Sequence, residues 1–324
     1  MAATAPTRTL VVGAGISGLM AARRLSELGV HRGATVTVLD KGRSVGGRLA
    51  TRRIGDAVLD HGAQFFTVRD DVFAAHVDAW RTAGVVREWC RGFGKSDGHP
   101  RWVGASGMTS IAKHLASGLD VRCSHLAFSL ERTSDGTAWR LVTDDGAAHE
   151  ADAVILTAPL PQSFSLLFSA GIEMPEPLRR IDYDRTLGLL AVVDADTHRV
   201  PAPGGLQDPD EVFSFIGDNR AKGISGAHAL TFHANPAWSL AHFDDDLDTI
   251  HARLLTEAQR WLGDARIVGS QPKKWRFATP RDTWPDRCWV HDSGSLILAG
   301  DVFAGPRVEG AALSGLAAAD ALSG

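Results

Sequence analysis

Gly13, Gly15 and Gly18 stand as G-x-G-x-x-G between the apolar run Leu10-Val11-Val12 and a segment with Ile16, Leu19, Ala22, Leu25 and Leu28 at helical spacing. In a strand–turn–helix setting each glycine has a task. Gly13 permits the tight turn, Gly15 lets backbone approach a pyrophosphate, and Gly18 lets the helix lie close to the strand. Ile16 and Ser17 would open that helix, whose free N–H groups and positive dipole end suit phosphate oxygens. Residues 35–39 (TVTVL) read as a second strand ending on Asp40, 22 residues beyond Gly18. A carboxylate there accepts from a ribose 2′-OH and repels a 2′-phosphate, so NADP is disfavoured. By itself this first site suits NAD as well as FAD.

The next residues separate the two. Lys41-Gly42-Arg43-Ser44-Val45-Gly46-Gly47-Arg48-Leu49-Ala50-Thr51 resembles the second dinucleotide motif of the flavin amine oxidase superfamily. There, paired glycines and an arginine pass along the pyrophosphate and ribitol of FAD. The resemblance gives Lys41, Gly47 and Arg48 to the cofactor, with Arg48 adding a fixed guanidinium. Near the other end, Gly300-Asp301 matches the superfamily turn whose aspartate binds the ribityl chain. The helix opening near Val308-Glu309-Gly310-Ala311 would aim its N–H groups at the flavin N1/C2=O edge, where reduction places negative charge.

Within that superfamily, four segments together resemble the renalase family, especially its bacterial members. They are Asp60-His61-Gly62-Ala63-Gln64-Phe65-Phe66, His233-Ala234-Asn235-Pro236-Ala237-Trp238-Ser239, Trp275-Arg276-Phe277-Ala278 and Gly300-Asp301 to Val308-Glu309-Gly310-Ala311. The resemblance implies non-covalent FAD, with Gly62, Ala63 and Gln64 also at the cofactor. It further implies oxidation of 2- or 6-dihydro isomers of NAD(P)H to NAD(P)+, the electrons passing to O2 as hydrogen peroxide. Such chemistry needs a lining and no catalytic acid or base, because the ring C–H leaves as hydride. Gln64, His233, Trp275 and Arg276 are the candidate lining, with a satisfied core residue as the alternative for His233 and Trp275. Arg307 occupies the place where amine oxidases carry an aromatic cage wall, and a cation there favours an anionic substrate over an ammonium, with pairing to a surface carboxylate as the alternative. Lys222, Arg220 and Arg101 are candidate holders of substrate phosphates, with solvated surface charge as the alternative for each.

The elements that must position these residues read as α/β. The expected architecture is a Rossmann-like FAD-binding domain of the two-dinucleotide-motif type joined to a β-sheet substrate domain. Hairpin signals at Asp135-Gly136 and Asp144-Asp145-Gly146 predict an antiparallel meander over 119–157. Pro159 and Pro161 then look like a domain crossing. The FAD domain is expected over 1–70, 103–160 and 281–324, and the substrate domain over 71–102 and 161–280. In the latter, Leu247, Ile250, Leu254, Ala258 and Trp261 mark one amphipathic helix, with Asp244-Asp245-Asp246 capping its start.

Composition excludes several classes. The chain has 324 residues, 44% hydrophobic and 22% charged, with a net charge of −4, so neither nucleic acid nor an anionic membrane is an expected partner. No apolar run approaches the roughly 20 residues of a membrane span, and residues 1–9 lack a signal layout. Cys90, Cys123 and Cys288 form no CxxC pair, which suits reduced thiols in the cytoplasm. No His/Cys set has metal-ligand spacing, so no metal is expected. The expected partners are a small-molecule substrate and O2, with the chain a monomer or homodimer. The rival readings are an amine oxidase or desaturase-like flavoenzyme, a non-catalytic flavin-binding protein, and a plain NAD-dependent dehydrogenase.

Overall fold

A computed structural model describes residues 7–29, 33–94, 97–303 and 305–323; most of the 1–9 segment lies outside them. The chain packs into two compact units, each built from separated stretches. Unit 1 takes residues 1–47, 112–182 and 280–324, and unit 2 takes 48–111 and 183–279.

Unit 1 is organised by a six-stranded sheet. Its order is Trp289–Val290, Leu296–Leu298, Ala153–Leu156, Arg8–Val12, Thr35–Asp40, Asp120–Cys123. All pairs are parallel except the one at the Trp289–Val290 edge. The central strands are buried on both faces, as a parallel sheet between helices demands; Val11, Val38, Ile155 and Ile297 have no exposure. The Ile16–Gly29 and Val308–Ser323 helices pack on each other, and a Cβ at Gly315 would strike the Ser17 carbonyl. The predicted meander is present as a separate three-stranded antiparallel sheet, Ala127–Arg132, Trp139–Thr143 and Ala148–Ala151. Both of its turns use the glycine expected, Gly136 at φ 69° and Gly146 at φ 84°.

Unit 2 is a five-stranded sheet ordered Gly205–Gln207, Phe213–Asp218, Ala229–Ala234, Tyr183–Val193, Ile267–Pro280. One face packs against the Leu247–Leu262 helix through Leu187, Leu189, Phe232, Ile250, Leu254 and Ala258. Asp246 alone of the acidic run caps that helix, accepting from the Thr249 N–H at 2.9 Å. The opposite face receives Ala57 and Leu59 of the Ala57–Asp60 strand, against Leu190 and Ala229.

The crossings therefore lie elsewhere than the sequence reading put them. Residues 48–70 pack with unit 2 because Ala57 and Leu59 are buried on its sheet. Pro159 and Pro161 open the Leu160–Ser169 helix, where proline's missing N–H costs nothing, and the chain passes to unit 2 only after Asp182.

Candidate active site

The glycine-rich loop of unit 1 is closed at Gly13 by Thr157, closed at Gly18 by its own backbone, and open at Gly15. Gly13 holds φ 110°, and a Cβ there would lie 2.5 Å from Thr157 Oγ1. A Cβ on Gly18 would run into the Gly13 carbonyl, whereas one on Gly15 would meet no protein atom within 4 Å. Beside that space Ser17 Oγ is buried without a hydrogen-bond partner among the described residues, at the start of a helix whose first N–H groups lack intrahelical acceptors. A cradle that only its second glycine leaves open, with an orphaned hydroxyl, fits a pyrophosphate.

Asp40 braces this cradle. Its Oδ2 accepts from the Ala14 N–H and its Oδ1 from the Gly42 N–H, both at 2.6 Å, so the carboxylate is a structural clasp as well as the expected ribose ligand. The paired glycines run against the first loop: the Gly46 N–H donates to the Ala14 carbonyl at 2.8 Å, and a Cβ on Gly47 would sit 3.5 Å from the Gly15 Cα. Lys41 is exposed and donates to Gln162 Oε1 at 3.1 Å. At the far motif, Gly300 adopts φ 142° and donates to the buried Ser314 Oγ at 2.9 Å, tying the turn to the last helix. Asp301, Glu309 and Ala311 are buried, Val308 is half-buried as the first residue of that helix, and Arg307 is exposed just ahead of it.

The remaining candidates belong to unit 2. Arg48 donates through Nη1 to the Ala278 carbonyl at 3.1 Å, and its own carbonyl accepts from the Ala63 N–H. Gly62 packs on the Arg48 backbone so tightly that a Cβ would collide with it. Gln64 is buried, with Nε2 donating to the Asp60 and Gly62 carbonyls and Oε1 accepting from Lys222 Nζ at 2.9 Å. Lys222 is neither surface charge nor phosphate holder. It is fully buried, ion-paired with the equally buried Asp60 at 3.2 Å and set over the Trp89 ring, and burial pushes its ammonium below the usual range. Arg101 is likewise engaged, paired with Asp97 at 2.6 Å and lying over Phe65 and Phe93, while Arg220 is exposed against His228.

Trp275 and His233 meet on a residue the sequence reading did not single out. The Trp275 indole stacks on the His61 ring with centroids 5.4 Å apart, and its Nε1 donates to the His61 carbonyl at 2.7 Å. His233 Nε2 donates to the same carbonyl at 3.2 Å. Burial first, then the cation of Lys273, drives the His61 imidazole down to about 3. His233 is lowered to about 4, again mainly by burial, with Lys222 adding to the effect. Arg276 does not join them. Successive strand residues face opposite ways, and its neighbour Lys274 donates to the Phe243 carbonyl on the helix-covered side.

Two neutral imidazoles carry a pH consequence. Each binds its proton more weakly folded than at the ordinary 6.5, so their contribution is full above about pH 6.5 and lost as pH falls toward 4 and then 3. The thermal midpoint is expected to drop through that window, and His233→Asn should flatten the drop. Equal slopes in both proteins would show that the ring titrates freely.

Among the described residues one group has metal-ligand proximity: Asp196, His198 and Asp218 of unit 2. His198 Nδ1 accepts from the Val200 N–H at 3.3 Å, so Nε2 carries the proton and faces a carboxylate oxygen of each aspartate at 3.2 Å. The group is a carboxylate-held strut.

Comparison with known proteins places this geometry. Residues 11–79 match the NAD(P)-binding Rossmann-like domain model, and residues 73–323, more than half of the chain, match the flavin containing amine oxidoreductase model. Renalase of Mus musculus is 24% identical over 337 aligned residues, covering 96% of this chain and 97% of that protein. An Exiguobacterium sp. 255-15 protein provisionally named protoporphyrinogen oxidase shares the fold with a TM-score of 0.73 at 14% identity, over 98% of both chains. Putrescine oxidase bound to putrescine does so with a TM-score of 0.71 at 16% identity, over 97% of this chain and 98% of that one. No helix of the described residues is long and apolar enough to cross a membrane. FAD is the cofactor that the glycine cradle fits, and the chain is a flavin oxidoreductase acting on a small molecule: it belongs to the flavin containing amine oxidoreductase family.

Proposed function

We propose that this flavoenzyme is a renalase-like oxidase of 2- or 6-dihydro isomers of NAD(P)H, with unit 1 as the FAD-binding domain and unit 2 as the substrate domain. The observation that supports the reading is the cluster of His61, His233 and Trp275 in unit 2, joined at the His61 carbonyl and with both imidazoles held neutral by burial. Bound FAD, held non-covalently, supplies the two-electron chemistry: acceptance of a hydride at N5 and reduction of O2 to hydrogen peroxide.

Hydride departure from a dihydronicotinamide converts a neutral ring to an aromatic cation. It asks the protein for orientation and for surroundings that do not repel the product. Neutral imidazoles and an indole face meet both needs, and a cationic His233 would not. In unit 1, Gly13 to Gly18 and Asp40 would grip the adenosine diphosphate portion of FAD, and Gly300-Asp301 with the start of the last helix its ribityl chain and ring. Arg307 disfavours an ammonium substrate. Cytoplasmic location and a monomeric or homodimeric state complete the proposal.

Anaerobic mixing with 2-dihydro-NAD, 6-dihydro-NAD and a panel of amines tests it. Rapid bleaching of the flavin by a dihydro isomer, with peroxide formed on readmitting O2, is the expected result. Bleaching by an amine and none by either isomer would make the chain an amine oxidase. Flavin that no compound reduces would leave a binding protein.

A further inference from the structure

We propose that His233 reads the substrate's primary amide, its Nδ1 accepting a hydrogen bond from the carboxamide N–H of the dihydronicotinamide. The inference rests on the dihydronicotinamide reading above and adds to it a specificity-determining residue.

The argument turns on which ring nitrogen carries the proton. The His61 carbonyl can only accept, and His233 Nε2 lies 3.2 Å from it, so Nε2 bears the hydrogen. A ring held neutral has one proton, and Nδ1 therefore keeps its lone pair. Among the described residues Nδ1 has no hydrogen-bond partner, and it is not among the buried polar atoms lacking one, so it is reachable. On the flanking strands His233 pairs with Gly188, which lies nearest the Cδ2 edge of the ring, and with Phe215.

Its neighbours have already committed their polar groups. The Trp275 indole N–H is spent on the His61 carbonyl, and the Gln64 amide is spent on Asp60, Gly62 and Lys222. Among the described residues neither His61 nitrogen has a hydrogen-bond partner that would fix its tautomer. His233 alone is a preset acceptor, locked from behind by a backbone carbonyl that cannot reverse its role. The dihydronicotinamide ring, alkylated at N1, carries one strong donor, its carboxamide NH2. An acceptor that cannot become a donor pairs with that NH2 and opposes both a carboxylate and a ketone at the same position.

The test compares holoenzyme flavin reduction by dihydro isomers of NAD and of its 3-acetylpyridine analogue, in which a methyl ketone replaces the amide. Wild type is expected to prefer the amide by about tenfold in kcat/KM, the scale of one hydrogen bond with its acceptor otherwise left unpaired. His233→Asn puts an oxygen at the Nδ1 place and should keep the preference. His233→Gln keeps a donor for the His61 carbonyl and removes the acceptor, so its ratio should fall to about one. A wild-type ratio near one, or a preference retained by the Gln variant, overturns the inference while leaving the dihydronicotinamide reading intact. Failure of both NAD isomers to reduce wild-type flavin sinks that reading, and the inference with it. Should the variants misfold, wild type decides alone: in 15N-histidine-labelled holoenzyme, nicotinamide mononucleotide should shift the His233 Nδ1 resonance and its 3-acetylpyridine counterpart should not. An Nδ1 resonance indifferent to both at saturation rejects the proposal.

Discussion

Replacing Lys222 with Met is expected to destabilise the protein by about 3–5 kcal/mol, the cost of stranding a buried charge. Lys222 and Asp60 have no exposure, and the ammonium also serves Gln64 Oε1. Removing it leaves the Asp60 carboxylate in the dry core with only the Thr51 hydroxyl and the Met108 N–H, at 2.6 and 2.8 Å. The pair as a whole is a different matter, since both charges were desolvated to form it. The double variant Lys222→Met, Asp60→Asn should therefore recover more than half of the loss. Urea denaturation of the holoenzyme reads both numbers. A single-variant loss below about 1 kcal/mol would mean that water reaches Asp60 and the pair is not dry.

Gly15→Asp should separate cofactor binding from folding. A Cβ at Gly15 meets no atom of the described residues within 4 Å, and Ile16 begins the helix behind it. Aspartate is a favoured residue at that capping position, so apoprotein stability should stay within about 0.5 kcal/mol of wild type. The new carboxylate would occupy the space assigned to the pyrophosphate. Two like charges about 4 Å apart at an effective dielectric near 20 repel by roughly 4 kcal/mol, which is on the order of a thousandfold in FAD affinity. Flavin content of the purified protein and titration of the apoprotein with FAD measure it. Wild-type occupancy would remove the pyrophosphate from Gly15. The companion change Gly18→Ala should instead lose stability, because its methyl collides with the Gly13 carbonyl.

How much of this was legible follows from where each constraint lies in the chain. The loop 13–18 is governed by backbone closeness within a few residues, so glycine spacing reveals it, and so do the turns at Gly136 and Gly146. Lys222 could not be placed because its partner stands 162 residues away. A sequence shows a lysine among polar residues and does not show which carboxylate it will meet. Residues 159–161 were ambiguous for a local reason: proline ends a strand and opens a helix equally well. Arg276 stands next to Trp275 on the Ile267–Pro280 strand. Its neighbour Trp275 had been assigned to the lining, and the two-residue alternation of a strand sends the arginine to the other face. His61 lay inside the quoted motif, yet its part rests chiefly on its carbonyl, an atom that every residue has.

The order of strands in unit 1 sets a schedule for synthesis. Ala153–Leu156 lies between Arg8–Val12 and Leu296–Leu298, so one side of a fully buried strand has no partner until the latter is made. At roughly 5–20 residues per second, the intervening stretch keeps that edge open for roughly 7–28 s on the ribosome. An unpaired apolar strand is a template for association with other chains. A nascent chain of this topology therefore depends on a chaperone, or on slow collapse of its amino-terminal part, for longer than its size alone requires. Truncation before residue 296 should convert that delay into aggregation.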